Sequence, residues 1–208
     1  MRVKSYAGGL RLTRQAFIDE DLGAFERIPA KFVRDWSLTQ GDLIWGLVTA
    51  GKLTDGTDLF STKQGNLAST GATISSDTLS AARVAMRKMK SPSGKAIRVL
   101  PRYLIVSPDL ETLAQQFLAT IAPTKASDVN IWQGAFTLIV EPRLTGSTWY
   151  MAADPSSIDG LKYGYLDGAG LRSNREDDFD HDAIKFAVRA EFGAGIIDYR
   201  GWYKNPGA

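Results

Sequence analysis

The 208-residue sequence predicts an α+β fold, on three observations. From Arg14 to Ala50, apolar residues fall at Leu22, Phe25, Phe32, Trp36, Leu43 and Leu47, a three-to-four-residue step that draws one stripe along a helix. Ala183–Phe192 alternates cleanly, with Ile184, Phe186, Val188, Ala190 and Phe192 on one side and Lys185, Arg189 and Glu191 on the other, the period of a half-buried strand. Between these two, a helix, a strand and a helix follow in order, which makes a small α/β layer.

Pro29 divides the first pattern. A proline inside a helix removes a backbone bond and clashes one turn back, so the sequence predicts a short helical approach and a fresh helix with Pro29 in its first turn. From Pro29 to Ala50 that helix spans about 33 Å, and Gly51 supplies a left-handed cap. A helix of this length is expected to act as a beam carrying smaller elements. Ahead of it, Val3, Tyr6, Leu10 and Leu12 lie in a short extended piece that Gly8-Gly9 is expected to bend. A lone strand needs a partner, from later in the chain or from another subunit. After the helix, Lys52–Thr73 reads as a long structured loop pinned by Leu53, Leu59, Phe60 and Leu67.

Asp77 is the expected N-cap of a helix running from Thr78 to Lys90, with Leu79, Ala82, Met86 and Met89 on one face. Arg98–Val106 reads as a strand in which Pro101 marks an edge position or a bulge. Ser107-Pro108 starts the next helix, Ser as cap and Pro at the first position, with Leu110, Leu113, Ala114, Phe117, Leu118 and Ile121 turned inward. From Val129 the pattern becomes β: Phe136–Val140, Trp149–Ala153, Leu161–Leu166, the long Ala183–Phe192 strand, then Ile196–Tyr199 and Trp202-Tyr203.

The totals exclude several function classes. Lys plus Arg is 25 and Asp plus Glu is 23, so the net charge of +2 offers no electrostatic case for a nucleic-acid or membrane partner. There is no cysteine, which removes disulfides, thiolate metal sites and thiol catalysis. No apolar run reaches the roughly 18 residues that span a bilayer.

The most tempting chemistry is the acidic cluster Glu176, Asp177, Asp178, Asp180 and Asp182, with His181 inside it. Asp178, Asp180 and Asp182 have the one-three-five spacing of a calcium loop, but the sixth position is Ala183 rather than Gly and the twelfth is Arg189 rather than Glu. A solvated turn before a long strand, paired with Arg172 and Arg175, explains the run better. His181 is the one histidine and cannot build a zinc site without thiolates. Asp55-Gly56-Thr57-Asp58, Asp154, Asp159 and Asp167 sit where turns use Asp for their own backbone. No nucleophile elbow, phosphate loop or dinucleotide fingerprint is present. The basic group Arg83, Arg87, Lys88 and Lys90 lacks interleaved aromatics and reads as a solvated helix face. The sequence therefore assigns no catalytic, cofactor-binding or metal-ligating residue and no cofactor. Trp36, Trp45, Trp132, Trp149 and Trp202 are spread along the chain, which suits a scaffold with several contact surfaces better than one ligand cleft.

Five blocks carry a family resemblance: LTRQAFIDEDLGAF (Leu12–Phe25), LTDGTDLFSTKQGNLA (Leu53–Ala68), LSAARVAMRKMK (Leu79–Lys90), PRYLIVSPDLETLAQQ (Pro101–Gln116) and FGAGIIDYRGWYKNPG (Phe192–Gly207). In this order, over nearly the whole chain, they resemble the Mu-like prophage major head subunit, a tailed-phage major capsid protein with the Hong Kong phage capsid fold. The resemblance implies a peripheral domain with a long spine helix and long β-strands, and an axial domain with a central sheet flanked by helices. On that plan residues 1–76 are peripheral, 77–155 axial, 156–192 peripheral again, and 193–208 return to the axial domain.

The resemblance further implies a non-enzymatic shell protein that assembles as hexamers and pentamers around packaged DNA, touching it without sequence preference. It implies residence in the virion after synthesis in the bacterial host cytoplasm, with no membrane and no small-molecule substrate. Two departures stand out. Members of the fold carry an N-terminal arm and extended loop before the spine, whereas this sequence starts at the end of that region and is expected to be a fragment or an internally started product. Gln64 stands where the family usually has a histidine. Two rivals remain: a bacterial encapsulating compartment that holds a cargo enzyme, and a small metal-dependent hydrolase centred on Asp178–Asp182 and His181.

Overall fold

The computed structural model describes residues 2–13, 15, 27–119, 132–166, 170–178 and 181–208. The helical approach with Leu22 and Phe25, together with Ile121, Val129, Asp167 and Asp180, lies outside the described residues. The structure is mixed α and β. It divides into two compact units, Met1–Gly46 with Lys162–Gly195, and Leu47–Leu161 with Ile196–Ala208. The sequence reading placed its lines at 76–77, 155–156 and 192–193. The loop after the helix lies in the second unit, where its backbone bonds go to the C-terminal strand.

In the first unit, strand β1 (Lys4–Thr13) pairs antiparallel with strand β7 (Ala183–Ile196), from Lys4 opposite Phe192 to Thr13 opposite Ala183. The expected bend at Gly8-Gly9 is absent: ten pairs run without a register break. The missing Cβ still matters, since a side chain on Gly9 would approach the Phe186 carbonyl oxygen to 3.2 Å. Strand β6 (Arg172–Asp178) lies along β7, with Arg172 opposite Arg189 and Asp178 opposite Ala183, and β5 (Leu161–Tyr165) also pairs with β7. The expected solvated turn at 176–178 is thus the end of a strand; its alternating charges hid it from a search for apolar periodicity.

Helix α1 (Ile28–Ala50) has Pro29 in its first turn, and Gly51 closes it at φ 62°, donating its N–H to the Leu47 and Val48 carbonyls at 3.2 Å each. The expected buried stripe is only half-buried. Val48 alone is fully inside, Phe32 and Trp36 are half-covered, and Val33 and Leu38 are 58% and 60% exposed. The Trp36 ring meets Tyr6 of β1 at 5.5 Å and Phe192 of β7 edge-on at 5.9 Å. Gln40 donates to the Tyr165 hydroxyl of β5.

The second unit holds a four-stranded sheet in the order β3 (Thr137–Val140), β2 (Pro101–Val106), β4 (Trp149–Ala153) and β8 (Trp202–Asn205). β2 and β3 are parallel, and the other two pairings are antiparallel. Pro101 is accommodated by a bulge rather than an edge: the register against β4 shifts between Pro101 and Tyr103, which removes the need for a donor at the proline. Helix α2 (Ser76–Arg87) packs Leu79, Ala82 and Met86 against the sheet residues Leu104, Val106, Trp149 and Met151 in one core. Helix α3 (Glu111–Leu118), entered through a single 3₁₀ turn at Pro108–Leu110, adds Ala114 with Leu113, Phe117 and Leu118 at its margin.

Two caps differ from expectation. α2 starts on Ser75, not Asp77, through a reciprocal capping box: Ser75 Oγ accepts from the Thr78 N–H at 3.2 Å, and Thr78 Oγ1 accepts from the Ser75 N–H at 2.8 Å. Ser107 does not cap with its side chain, which donates instead to the Gly146 carbonyl at 2.7 Å.

Candidate functional site

The acidic cluster lies at one end of the first unit's sheet. The pairing puts Asp178, Glu176, Lys185 and Arg11 on the same face, while Asp177 points the other way with Ile184. The Asp178 side chain is 6% exposed and faces two cations, Lys185 Nζ at 2.8 Å and Arg11 Nε at 3.7 Å, with His181 Nδ1 at 3.2 Å. Hydrogen bonding from Lys185, then from His181, holds the Asp178 carboxyl below its ordinary pKa, against the opposing effect of burial. Asp182 adopts φ 43°, the left-handed backbone that leads into β7.

The two arginines named from the sequence lie on β6 itself. Arg175 stacks over Phe186 at 5.6 Å, and Arg172 lies opposite Arg189. Among the described residues no group of three or more His, Asp or Glu side chains could hold a metal ion. A carboxylate met by Lys185 and Arg11 and beside His181 fastens strands together.

The turn carboxylates bind their own backbone. Asp55 Oδ1 accepts from Thr57 N–H at 2.9 Å and Thr57 Oγ1 at 2.7 Å, and Asp58 pairs with Lys52 at 2.5 Å. Asp154 accepts from the Ser156 N–H at 2.9 Å, from Ser156 Oγ at 2.7 Å and from Arg102 at 2.5 Å. The Ser156 bonds, followed by Arg102, lower its pKa to about 2.

The 52–73 loop is built around Asn66, which the sequence reading did not single out. Asn66 is fully buried; its amide donates to the Leu59 carbonyl at 2.6 Å and its Oδ1 accepts from the Ser61 N–H at 2.9 Å. Backbone bonds from Ala68 to Lys204 and from Lys204 to Asn66, both 2.9 Å, join the loop to β8. A polar residue between Gly65 and Leu67 gives no periodic signal, so only the long Gly/Ser/Thr run could have pointed to a hub there. Of the loop's expected pins, Leu59 is fully buried, and Leu53, Phe60 and Leu67 are half-covered.

The tryptophans also divide differently from expectation. Trp132, Trp149 and Trp202 are core residues, the first two donating their ring N–H to Ser76 Oγ at 3.0 Å and the Ala72 carbonyl at 3.1 Å. Trp36 and Trp45 are half-covered. Of the basic group, Arg83 lies 4.4 Å over the Trp132 ring, while Arg87, Lys88 and Lys90 face solvent. No described helix is long and apolar enough to cross a membrane.

A half-covered long helix and a loop braced by a buried asparagine are the main features of the described surface. The sequence model of the phage capsid protein family matches residues 1–205. The chain belongs to the phage capsid protein family. It is a major capsid protein, a structural component of a phage head, and its fold is that of the Hong Kong phage capsid.

Solved structures share this fold at low identity. The capsid of a native GTA particle superposes with a TM-score of 0.60 at 12% identity, covering 99% of this capsid protein and 73% of that chain. The holo-SrpI encapsulin complex from Synechococcus elongatus PCC 7942 gives 0.60 at 10% identity, covering 98% and 73%. A chain from Mycobacterium phage Che8 gives 0.56 at 11% identity, covering 99% and 72%. No curated protein sequence matches this capsid protein.

Proposed function

We propose that this capsid protein is the major head subunit of a Mu-like tailed phage or prophage, and that many copies close into an icosahedral shell of hexamers and pentamers around packaged DNA. The observation that carries the reading is the family match over residues 1–205. On this reading the first unit is the peripheral domain, with α1 as its spine, and the second is the axial domain. The protein resides in the virion after synthesis in the bacterial cytoplasm, and it is not an enzyme. Contact with DNA is non-specific, in keeping with a net charge of +2. Negative-stain electron microscopy of the protein expressed in bacteria tests it: closed shells or hexameric and pentameric rings are expected, and a monodisperse monomer at every concentration would contradict it.

A second reading has its own support in the likeness to the encapsulin complex. A compartment shell would co-purify with a cargo protein, whereas a phage head would not, so mass spectrometry of the purified particles separates the two.

A further inference from the structure

We propose that the end of α2 and the hairpin that follows it bind the phosphate backbone of duplex DNA, without regard to sequence. The proposal rests on the capsid reading and names the surface through which this protein touches packaged DNA. Residues 83–102 hold seven Arg or Lys and no Asp or Glu. The rest of the chain carries 18 cations against 23 carboxylates, so the net charge of +2 conceals one strongly basic segment in an acidic remainder. Arg102 pairs with Asp154, and Arg83 lies over the Trp132 ring. The other five, Arg87, Lys88, Lys90, Lys95 and Arg98, are exposed, and among the described residues none of their side chains meets a carboxylate. Residues 120–131, outside the described set, hold one Lys and one Asp and so bring no net charge to offset them.

The backbone gathers these five. Lys90 bridges antiparallel to Ala96, and the Ile97 N–H donates to the Met89 carbonyl at 3.4 Å. The Gly94 N–H to the Ser91 carbonyl and the Ser91 N–H to the Lys95 carbonyl, both 2.8 Å, close the turn between them. Met89 and Val99 are buried and Ile97 is half-buried, so Lys88, Lys90 and Arg98 share the outward side. Arg87 and Lys88 have a simpler explanation, since they stand at the C-terminal end of α2, where the helix dipole favours cations. Lys90, Lys95 and Arg98 lie beyond the helix and gain nothing from it. Between residues 87 and 98 no large apolar or aromatic side chain is exposed. The core of a protein interface is built the other way, rich in aromatics and depleted in lysine. A single strand also finds no ring to stack on. An exposed tip of cations suits the phosphates of a duplex, which position a protein without carrying sequence.

Fluorescence anisotropy of a short labelled duplex titrated with the whole chain, between about 50 and 200 mM salt, tests the surface. The unsubstituted chain is expected to bind two duplexes of unrelated sequence equally, with an affinity that falls steeply as salt rises. Lys90→Gln, Lys95→Gln and Arg98→Gln together are expected to flatten the slope of log K against log salt by about three. These positions lie beyond α2, so the helix dipole is untouched and the urea midpoint is expected to hold. Removing the same charge from exposed residues of the first unit, by Lys4→Gln, Lys31→Gln and Arg34→Gln, is expected to change the slope by less than about one. Equal flattening by both sets, or none by the first, overturns the proposal. So does a preference for a glutamate-rich peptide over the duplex, which gives the surface to an acidic protein partner. Shells formed by a chain that binds no duplex overturn it while leaving the capsid reading in place. Failure of the unsubstituted chain to form any particle, with the slopes as expected, counts against the capsid reading instead.

Discussion

Asp178 is met by Arg11 of β1, Lys185 of β7 and His181 of the segment between β6 and β7, so one carboxylate ties three stretches of chain together. Its folded-state pKa is depressed, so its contribution to stability is present above the unfolded value near 4 and is lost as pH falls through the lower folded value. Asp178→Asn is expected to lower the urea midpoint at pH 7 and to flatten the acid limb of stability below about pH 4, measured as urea midpoint against pH. Asn66 works by hydrogen bonding alone. Asn66→Ala leaves the part-buried Ser61 N–H and the buried Leu59 carbonyl without the Asn66 amide, so a loss of about 1–3 kcal/mol in equilibrium denaturation is expected, with the 52–73 loop losing amide protection first. A neutral effect would mean that water replaces the amide and that the loop is not built on it.

At the scale of the element, α2 shows how the sequence is read and where reading stops. Its apolar face at Leu79, Ala82 and Met86 follows directly from the 3.6-residue period, and all three are fully buried. Its start was misplaced by two residues because Ser75 and Asp77 are both good caps, and only the reciprocal bonds between Ser75 and Thr78 decide between them. Ser75→Ala is therefore expected to cost about 1 kcal/mol, and Asp77→Ala distinctly less, in thermal or urea unfolding. α1 was legible from Pro29 to Gly51 for the same reasons of period and cap. β6 was not legible, since RSNREDD offers no apolar alternation and becomes a strand only because β7 supplies a paired edge. The acidic run was visible but its partners were not: Arg11 and Lys185 reach Asp178 through strand register, a property of three separated segments that no local spacing encodes. Asn66 was invisible for a related reason, because its bonds run to backbone groups rather than to side chains with a pattern of their own.

Across the whole molecule, the two units bury very different amounts of apolar surface. The core of the second unit joins α2, α3 and the four-stranded sheet through Leu79, Met86, Leu104, Val106, Trp132, Trp149 and Met151. In the first unit the fully buried apolar residues among those described are Ala183, Ala190 and Phe192, and α1 leaves Val33 and Leu38 to solvent. Local opening free energy follows buried apolar contact, so β2 and β4 amides are expected to exchange only near global unfolding, while those of β1 and β6 exchange at a lower free energy. Assembly changes this ranking if shell contacts supply the surface that the first unit lacks on its own. Native-state hydrogen exchange on the free chain and on assembled particles measures both. The largest gain in protection on assembly should fall in β1, β6 and the exposed face of α1, with β2 and β4 almost unchanged. Equal protection in both units of the free chain would show that the first unit is stable without neighbours, and the link between its thin core and assembly would then fail.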